Sequence, residues 1–187
     1  RNHGVEKLKC IIKCLFYPYF GRRGMKRLSK EYRKAYVHSD KVVLLTKGYV
    51  PEFMKFAHLE DDKKFYVIPN ALSLPDILDK SEFNNVKEKV VLVVSRLEEV
   101  QKRISLILKI WRKISKNYRA KGWKLLIAGE GVDGERYKKY VSRHNIPNIV
   151  FLGRVTPAPY YKEASIFMMT SKSEGFPLTL NEAMQYG

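Results

Sequence analysis

The second half of the chain alternates short apolar runs with longer stretches in which apolar residues recur every three to four positions. Residues 89–95 (Lys-Val-Val-Leu-Val-Val-Ser) read as a buried strand. Residues 102–117 read as a helix with Ile104, Ile107, Leu108, Trp111 and Ile114 on one stripe. The alternation continues with strand 123–128, helix 134–144, strand 148–152, a short helix near 158–164, strand 165–169 and a helix from 177. Near-continuous apolar strands between amphipathic helices predict an α/β domain whose parallel sheet is buried on both faces. The first half is less regular. Residues 26–38 are basic and helical in period, with Leu28, Tyr32, Ala35 and Tyr36 on one side. Lys41–Leu45 reads as a strand, 49–58 as a helix, and Phe65–Ile68 as a strand stopped by Pro69. Residues 69–85 carry Pro69, Asn70, Ser73, Pro75, Asn84 and Asn85, which is loop chemistry. The expected organisation is therefore 1–72 as the end of one domain with a basic segment, 73–86 as a linker, and 87–187 as the α/β domain. Neither a solenoid-period repeat nor a low-complexity tract interrupts it.

In open α/β sheets, ligands bind beyond the carboxyl ends of the strands. Arg96 follows the first strand of the second half, Gly129 the second, Gly153 the third and Ser171 to Pro177 the fourth. All of these are thereby expected on one edge of one sheet. Arg96 and Lys102 pair a guanidinium with an ammonium, which suits a diphosphate. Glu98 and Glu99 would repel such a group and are expected to face solvent. Glu174 lies in a Ser/Gly/Pro loop and Glu182 about a turn and a half into the last helix, for which Pro177 suits the first turn. Carboxylates on either side of a helix start that attracts phosphate could grip a diphosphate carrying a sugar at each end. Gly175 would let such a ligand approach the backbone. Gly129-Glu130-Gly131-Val132-Asp133-Gly134 matches the G-x-G-x-x-G dinucleotide pattern, but residues 145–160 contain no Asp or Glu to hold a ribose. A tight glycine turn shaping a wall of the site is the better reading.

The run Ser173 to Gly187 (SEGFPLTLNEAMQYG) resembles the E-x7-E signature of family 4 glycosyltransferases, which have the GT-B fold. Val91 to Leu97 with Lys102 resembles that family's diphosphate-binding segment, and Leu125 to Gly131 its next strand and glycine turn. Val150 to Val155 resembles its base-recognition strand, and Tyr66 to Ala71 its interdomain linker, with Ala71 in place of the usual glycine. The resemblance spans roughly residues 37–187. It implies a Rossmann-like donor domain and the tail of an acceptor-side domain, and hence a fragment of a longer enzyme. It also implies transfer of a sugar from a nucleotide diphosphate donor, with retention and without metal, to a cell-surface glycan or lipid-linked acceptor, as in polysaccharide or lipopolysaccharide biosynthesis. Arg96 and Lys102 would stabilise the leaving diphosphate. Glu174 would orient the donor sugar, and Glu182 would hold the ribose. Ser95 and Gly129 would border the donor, and Gly153, Arg154 and Val155 would frame the base. The backbone from Gly175 through Phe176, Pro177 and Leu178 would hold sugar and phosphates. No cofactor is implied, because the nucleotide-sugar is a substrate. A chain lacking most of the acceptor-side domain is expected to be inactive by itself. The alternative is a non-catalytic nucleotide-binding module of the same architecture.

Composition changes little: 45% hydrophobic and 29% charged residues are ordinary for a folded protein. Charge changes more. Of a net +17, residues 1–38 hold eleven Lys/Arg against Glu6 and Glu31. With Phe16, Tyr17, Tyr19 and Phe20 interleaved, this segment suits an anionic membrane surface, or is simply a solvated basic helix. Nucleic acid would leave the edge cluster unexplained, so it is not the expected partner. Cys10 and Cys14 make no disulfide framework and fit a reducing cytosol, with the protein peripheral on the inner face of the membrane. His3, His38, His58 and His144 are scattered, and Glu60-Asp61-Asp62 does not follow a strand, so no catalytic metal is expected. His144 is expected to end its helix as a cation.

Overall fold

The computed structural model describes residues 17–71, 74, 81 and 87–187. Cys10, Cys14 and Phe16 lie outside the described residues, as does most of the expected 73–86 linker. The chain divides into two compact units, one ending at Asn70 and the other starting at Ala71.

In the first unit, α1 (Tyr17–His38) and α2 (Tyr49–Ala57) pack beside a parallel pair, β1 (Val42–Leu44) and β2 (Phe65–Val67). α1 begins well before residue 26, at Tyr17. Aromatic contacts join the layers: Tyr36 meets Phe65 at 5.0 Å and Phe53 meets Phe65 at 5.1 Å between ring centres. Lys64 Nζ donates to the carbonyls of Tyr36, Val37 and Ser39, which closes the carboxyl end of α1. Asp61 accepts from the buried Tyr36 hydroxyl at 2.8 Å, so the acidic run 60–62 has a structural use here.

The second unit is a four-stranded parallel sheet in the order β5-β4-β3-β6: β3 (Glu88–Val94), β4 (Lys124–Ala128), β5 (Ile149–Gly153) and β6 (Ala164–Phe167). Strand residues alternate between two cores. Val91, Val93, Leu125 and Ile127 pack with Ile107, Leu108, Trp111 and Tyr137 on one face. Val90, Leu92 and Leu126 pack with Tyr161 and Tyr186 on the other. Continuous apolar strands are thereby explained by burial on both sides. The helices are α3 (Glu99–Lys102), α4 (Ile104–Ile114), α5 (Gly134–Arg143), α6 (Ala158–Glu163) and α7 (Leu178–Gln185).

The expected helix 102–117 is corrected. It begins at Glu99 and is broken at Arg103, whose left-handed φ of 54° ends α3 with its N–H on the Glu99 carbonyl. Lys102 is therefore the last residue of a short helix, not the first of a long one. His144 ends its helix as expected. It occupies the carboxyl cap of α5, but burial, Arg112 and Arg143 push its pKa down, which favours the neutral ring.

Candidate functional site

The order of the strands decides where a site can form. β4 and β5 extend the sheet to one side of β3, while β6 pairs on its other side. The chains leaving β3 and β6 go on to helices on opposite faces of the sheet, which makes this the point where a crevice forms at the carboxyl edge, and their loops meet across it. The β3 loop carries Ser95, Arg96, α3 and Lys102. The β6 loop carries Thr170 through Pro177.

These loops clasp each other. Thr170 Oγ1 lies 3.1 Å from the carbonyls of both Lys102 and Arg103. The Lys172 N–H donates to the Gln101 carbonyl at 2.8 Å, and the Gln101 amide donates to the Ser173 carbonyl at 3.2 Å. The outcome is a contact between Lys102 Nζ and Glu174 Oε1 at 2.6 Å, 72 positions apart. The two side chains are only 18% and 19% exposed, so the pair is shielded from water. Burial works against the charged form of Glu174, but the Lys102 and Ser171 hydrogen bonds and the Lys102 and Arg96 charges outweigh it and hold its pKa below the ordinary carboxylate value.

Arg96 is more open, 71% exposed, 3.7 Å from Glu98 Oε2 and with Nη2 donating to Gln101 Oε1 at 3.5 Å. It forms part of a cleft of about 450 Å³ lined also by Ser95, Gly129, Glu130, Arg154, Val155 and Thr179. The glycine turn shapes this wall. The Gly129 N–H donates to the Gly153 carbonyl at 2.7 Å, with φ of 135° at Gly129 and 68° at Gly153. A Cβ on Gly129 would lie 1.9 Å from the Ser95 carbonyl oxygen, and one on Gly131 2.4 Å from that of Leu97. Those glycines are therefore required by strand-to-loop packing. Gly175 differs: a Cβ there meets nothing within 4 Å.

Glu182 sits on α7 one turn beyond Thr179 and accepts from the Tyr161 hydroxyl at 2.9 Å. Phe176 and Pro177 are half-buried at the start of α7, Leu178 is exposed, and Pro177 occupies the amino-cap position.

Of the site residues read from sequence, Ser95, Arg96, Gly129, Arg154 and Val155 line one cleft, and Lys102 and Glu174 meet directly beside it. Glu182 and Gly175–Leu178 lie on the same edge without lining that cleft. The expectation that Glu99 faces solvent is overturned. Its carboxylate accepts from the Ser105 N–H at 3.1 Å, the Ser105 hydroxyl at 2.5 Å and the Tyr137 hydroxyl at 2.9 Å. Sequence reasoning missed Gln101, Thr170, Glu130, Thr179 and Tyr161. A polar residue just beyond a strand end was the available signal for Thr170 and Glu130; for Tyr161 there was none.

The family model for glycosyl transferases group 1 matches residues 76–187. The chain belongs to this family.

Among relatives of this group 1 glycosyltransferase chain, the amylovoran biosynthesis glycosyltransferase AmsD of Erwinia amylovora is 30% identical over 158 residues, covering 79% of this chain and 41% of that protein. An uncharacterized glycosyltransferase of Haemophilus influenzae is 30% identical over 177 residues, covering 91% of this chain and 46% of that protein. The chain thus spans less than half the length of these curated relatives. The pneumococcal O-GlcNAc transferase GtfA, solved in complex with UDP and GlcNAc, superposes with a TM-score of 0.70 at 23% identity, over 83% of this chain and 30% of that one. The architecture is thereby that of GT-B glycosyltransferases.

Proposed function

We propose that this chain is the donor-binding part of a retaining, metal-independent glycosyltransferase that moves a sugar from a nucleotide diphosphate-sugar to a cell-surface glycan or a lipid-linked acceptor. The observation that carries the reading is the Lys102–Glu174 contact of 2.6 Å at the crevice between the β3 and β6 loops, next to a cleft holding Arg96. A phosphate-binding cation and a sugar-binding carboxylate have to be neighbours if a sugar-diphosphate is to lie across both. Arg96 and Lys102 then neutralise charge on the leaving diphosphate, which is the electrostatic stabilisation that most lowers such a barrier. Glu174 orients the donor sugar, Glu182 holds the ribose, and Gly153, Arg154 and Val155 frame the base. The name of the relative from Erwinia amylovora and the UDP and GlcNAc bound to the pneumococcal enzyme agree with a glycan-building role. Turnover is assigned to the protein with its acceptor half, and the isolated chain to donor binding. The excess of Lys and Arg over residues 1–38 and a lipid-linked acceptor support a working location at the inner face of a membrane.

Calorimetric titration of the chain with UDP, GDP and ADP tests this reading. Saturable binding of one of them is expected, with affinity reduced at least tenfold, about the worth of one charge-assisted contact, in Arg96→Ala and in Glu182→Ala. Absence of binding to all three by a folded chain would overturn it.

A further inference from the structure

Glu182 is held by a residue outside the site read from sequence. Tyr161, in α6, is 2% exposed, and its hydroxyl donates to Glu182 Oε2 at 2.9 Å. Its ring lies parallel to Tyr186 (6.1 Å, 10°) and tilted on Phe167 (5.8 Å, 52°). Its backbone is fixed as well: its N–H donates to the Pro157 carbonyl at 3.0 Å and its carbonyl accepts from Lys87 Nζ at 3.0 Å. Ring, backbone and hydroxyl leave the phenol no freedom to follow a moving carboxylate. Glu182, by contrast, is only half-buried, and among the described residues nothing else in the protein bonds its second oxygen, Oε1.

We propose that Tyr161 is a positioning residue that fixes the Glu182 carboxylate for the ribose of the donor and so sets the preference for ribonucleotides over deoxyribonucleotides. This rests on the reading of Glu182 as the ribose ligand. A carboxylate is an acceptor only, with about two lone-pair positions on each oxygen. One oxygen taken by Tyr161 leaves Oε1 to accept from ribose hydroxyls, in an orientation chosen before the ligand arrives. Such preorganisation lowers the entropic cost of binding. The phenol stays a donor throughout the accessible pH range, because burial and the hydrogen bond and charge of Glu182 all push its pKa up. The placement also has a directional logic. Thr179, one turn before Glu182 on α7, lines the cleft, so the carboxylate that Tyr161 holds lies on the helix face turned toward it. A purely structural tyrosine would need only a backbone carbonyl as partner, whereas this one spends its donor on an ionisable group at the site edge.

Tyr161→Phe removes one oxygen and leaves the ring packing, so the fold is expected to survive, which a thermal melt checks. The readout is the affinity of whichever of UDP, GDP and ADP the wild-type chain binds, set against its 2′-deoxy and 3′-deoxy forms. Wild type is expected to favour the ribo form, and Glu182→Ala to erase that preference. Tyr161→Phe is expected to weaken the ribo form about tenfold, one hydrogen bond's worth, while the deoxy affinities stay near wild type. Loss of ribo and deoxy affinity in equal measure would make Tyr161 merely structural and overturn the proposal, as would an unchanged preference. If Glu182→Ala erases the preference and Tyr161→Phe does not, only the role of Tyr161 falls. If wild type binds no nucleoside diphosphate, the proposed function falls with it.

Discussion

Three glycines separate what packing demands from what a ligand demands. Gly129 and Gly131 face backbone atoms of Ser95 and Leu97 at 1.9 and 2.4 Å from a built Cβ, and backbone cannot swing aside as a side chain can. Gly129→Ala also has to adopt a φ of 135°, which L-residues avoid. We expect either alanine to cost about 1–3 kcal/mol, the range for overpacking, read as a lower urea midpoint. Gly175→Ala, whose added Cβ meets nothing within 4 Å, should stay within about 0.5 kcal/mol of wild type. A drop as large as that of Gly131→Ala would contradict the distinction. In the sequence these residues look alike. G-x-G-x-x-G invites a phosphate cradle, yet its first two glycines serve the contact between adjacent loops. Residue identity was legible at this scale; the reason for it lay in atoms more than thirty positions away.

At the scale of elements, the break at Arg103 is what carries Lys102 to Glu174, and Glu99 holds that break. Its carboxylate satisfies the Ser105 N–H at the start of α4, where the cap position itself makes no side-chain bond. It also receives the hydroxyls of Ser105 and of the buried Tyr137. Burial disfavours its charge, but these bonds and Arg136 prevail and keep its pKa below the ordinary 4.5. A carboxylate with a depressed folded pKa adds stability above its unfolded pKa and loses it as pH falls through the folded value. Stability measured by thermal melting should therefore hold from neutrality to about pH 5 and decline below the ordinary carboxylate value of 4.5. Glu99→Ala should cost about 2–3 kcal/mol at pH 7, since Tyr137 is left without its acceptor, and should flatten the acid decline. An unchanged acid profile in Glu99→Ala would show that Glu174 and other carboxylates dominate it. Periodicity found α4 but missed α3 and the break between them, because an apolar stripe carries no signal for a short polar turn or a single left-handed residue.

For the whole molecule, charge is the property that composition states outright. The described part of α1 places Arg22, Arg23, Lys26, Arg27, Lys30 and Lys34 in solvent. The proposed peripheral attachment rests on these charges, at about 1 kcal/mol per basic residue near an anionic leaflet. The chain is expected to sediment with vesicles containing anionic phospholipid and not with neutral ones. That binding should fade between about 0.1 M and about 1 M salt, as the screening length falls from about 10 Å to about 3 Å. Replacing Lys26, Arg27, Lys30 and Lys34 by Glu should abolish it. Equal sedimentation of that variant would remove α1 as the contact.

Much of this protein was determined by its sequence alone. Continuous apolar strands between amphipathic helices specify a parallel sheet covered on both faces, and strand ends then put Arg96, Gly129, Gly153 and the Glu174 loop on one edge. Hydrophobic period and chain direction are local properties, so they survive without coordinates. The tertiary structure decided the rest: that β6 pairs beside β3 and opens the crevice, that Lys102 meets Glu174, that Glu99 turns inward to cap α4, and that Tyr161 holds Glu182. Each of these depends on strand order and on side chains brought together across 6 to 72 positions. The contacts across 21 and 72 positions are set by the packing of whole elements, which no window of residues encodes, and the six-residue one depends on the left-handed turn at Arg103.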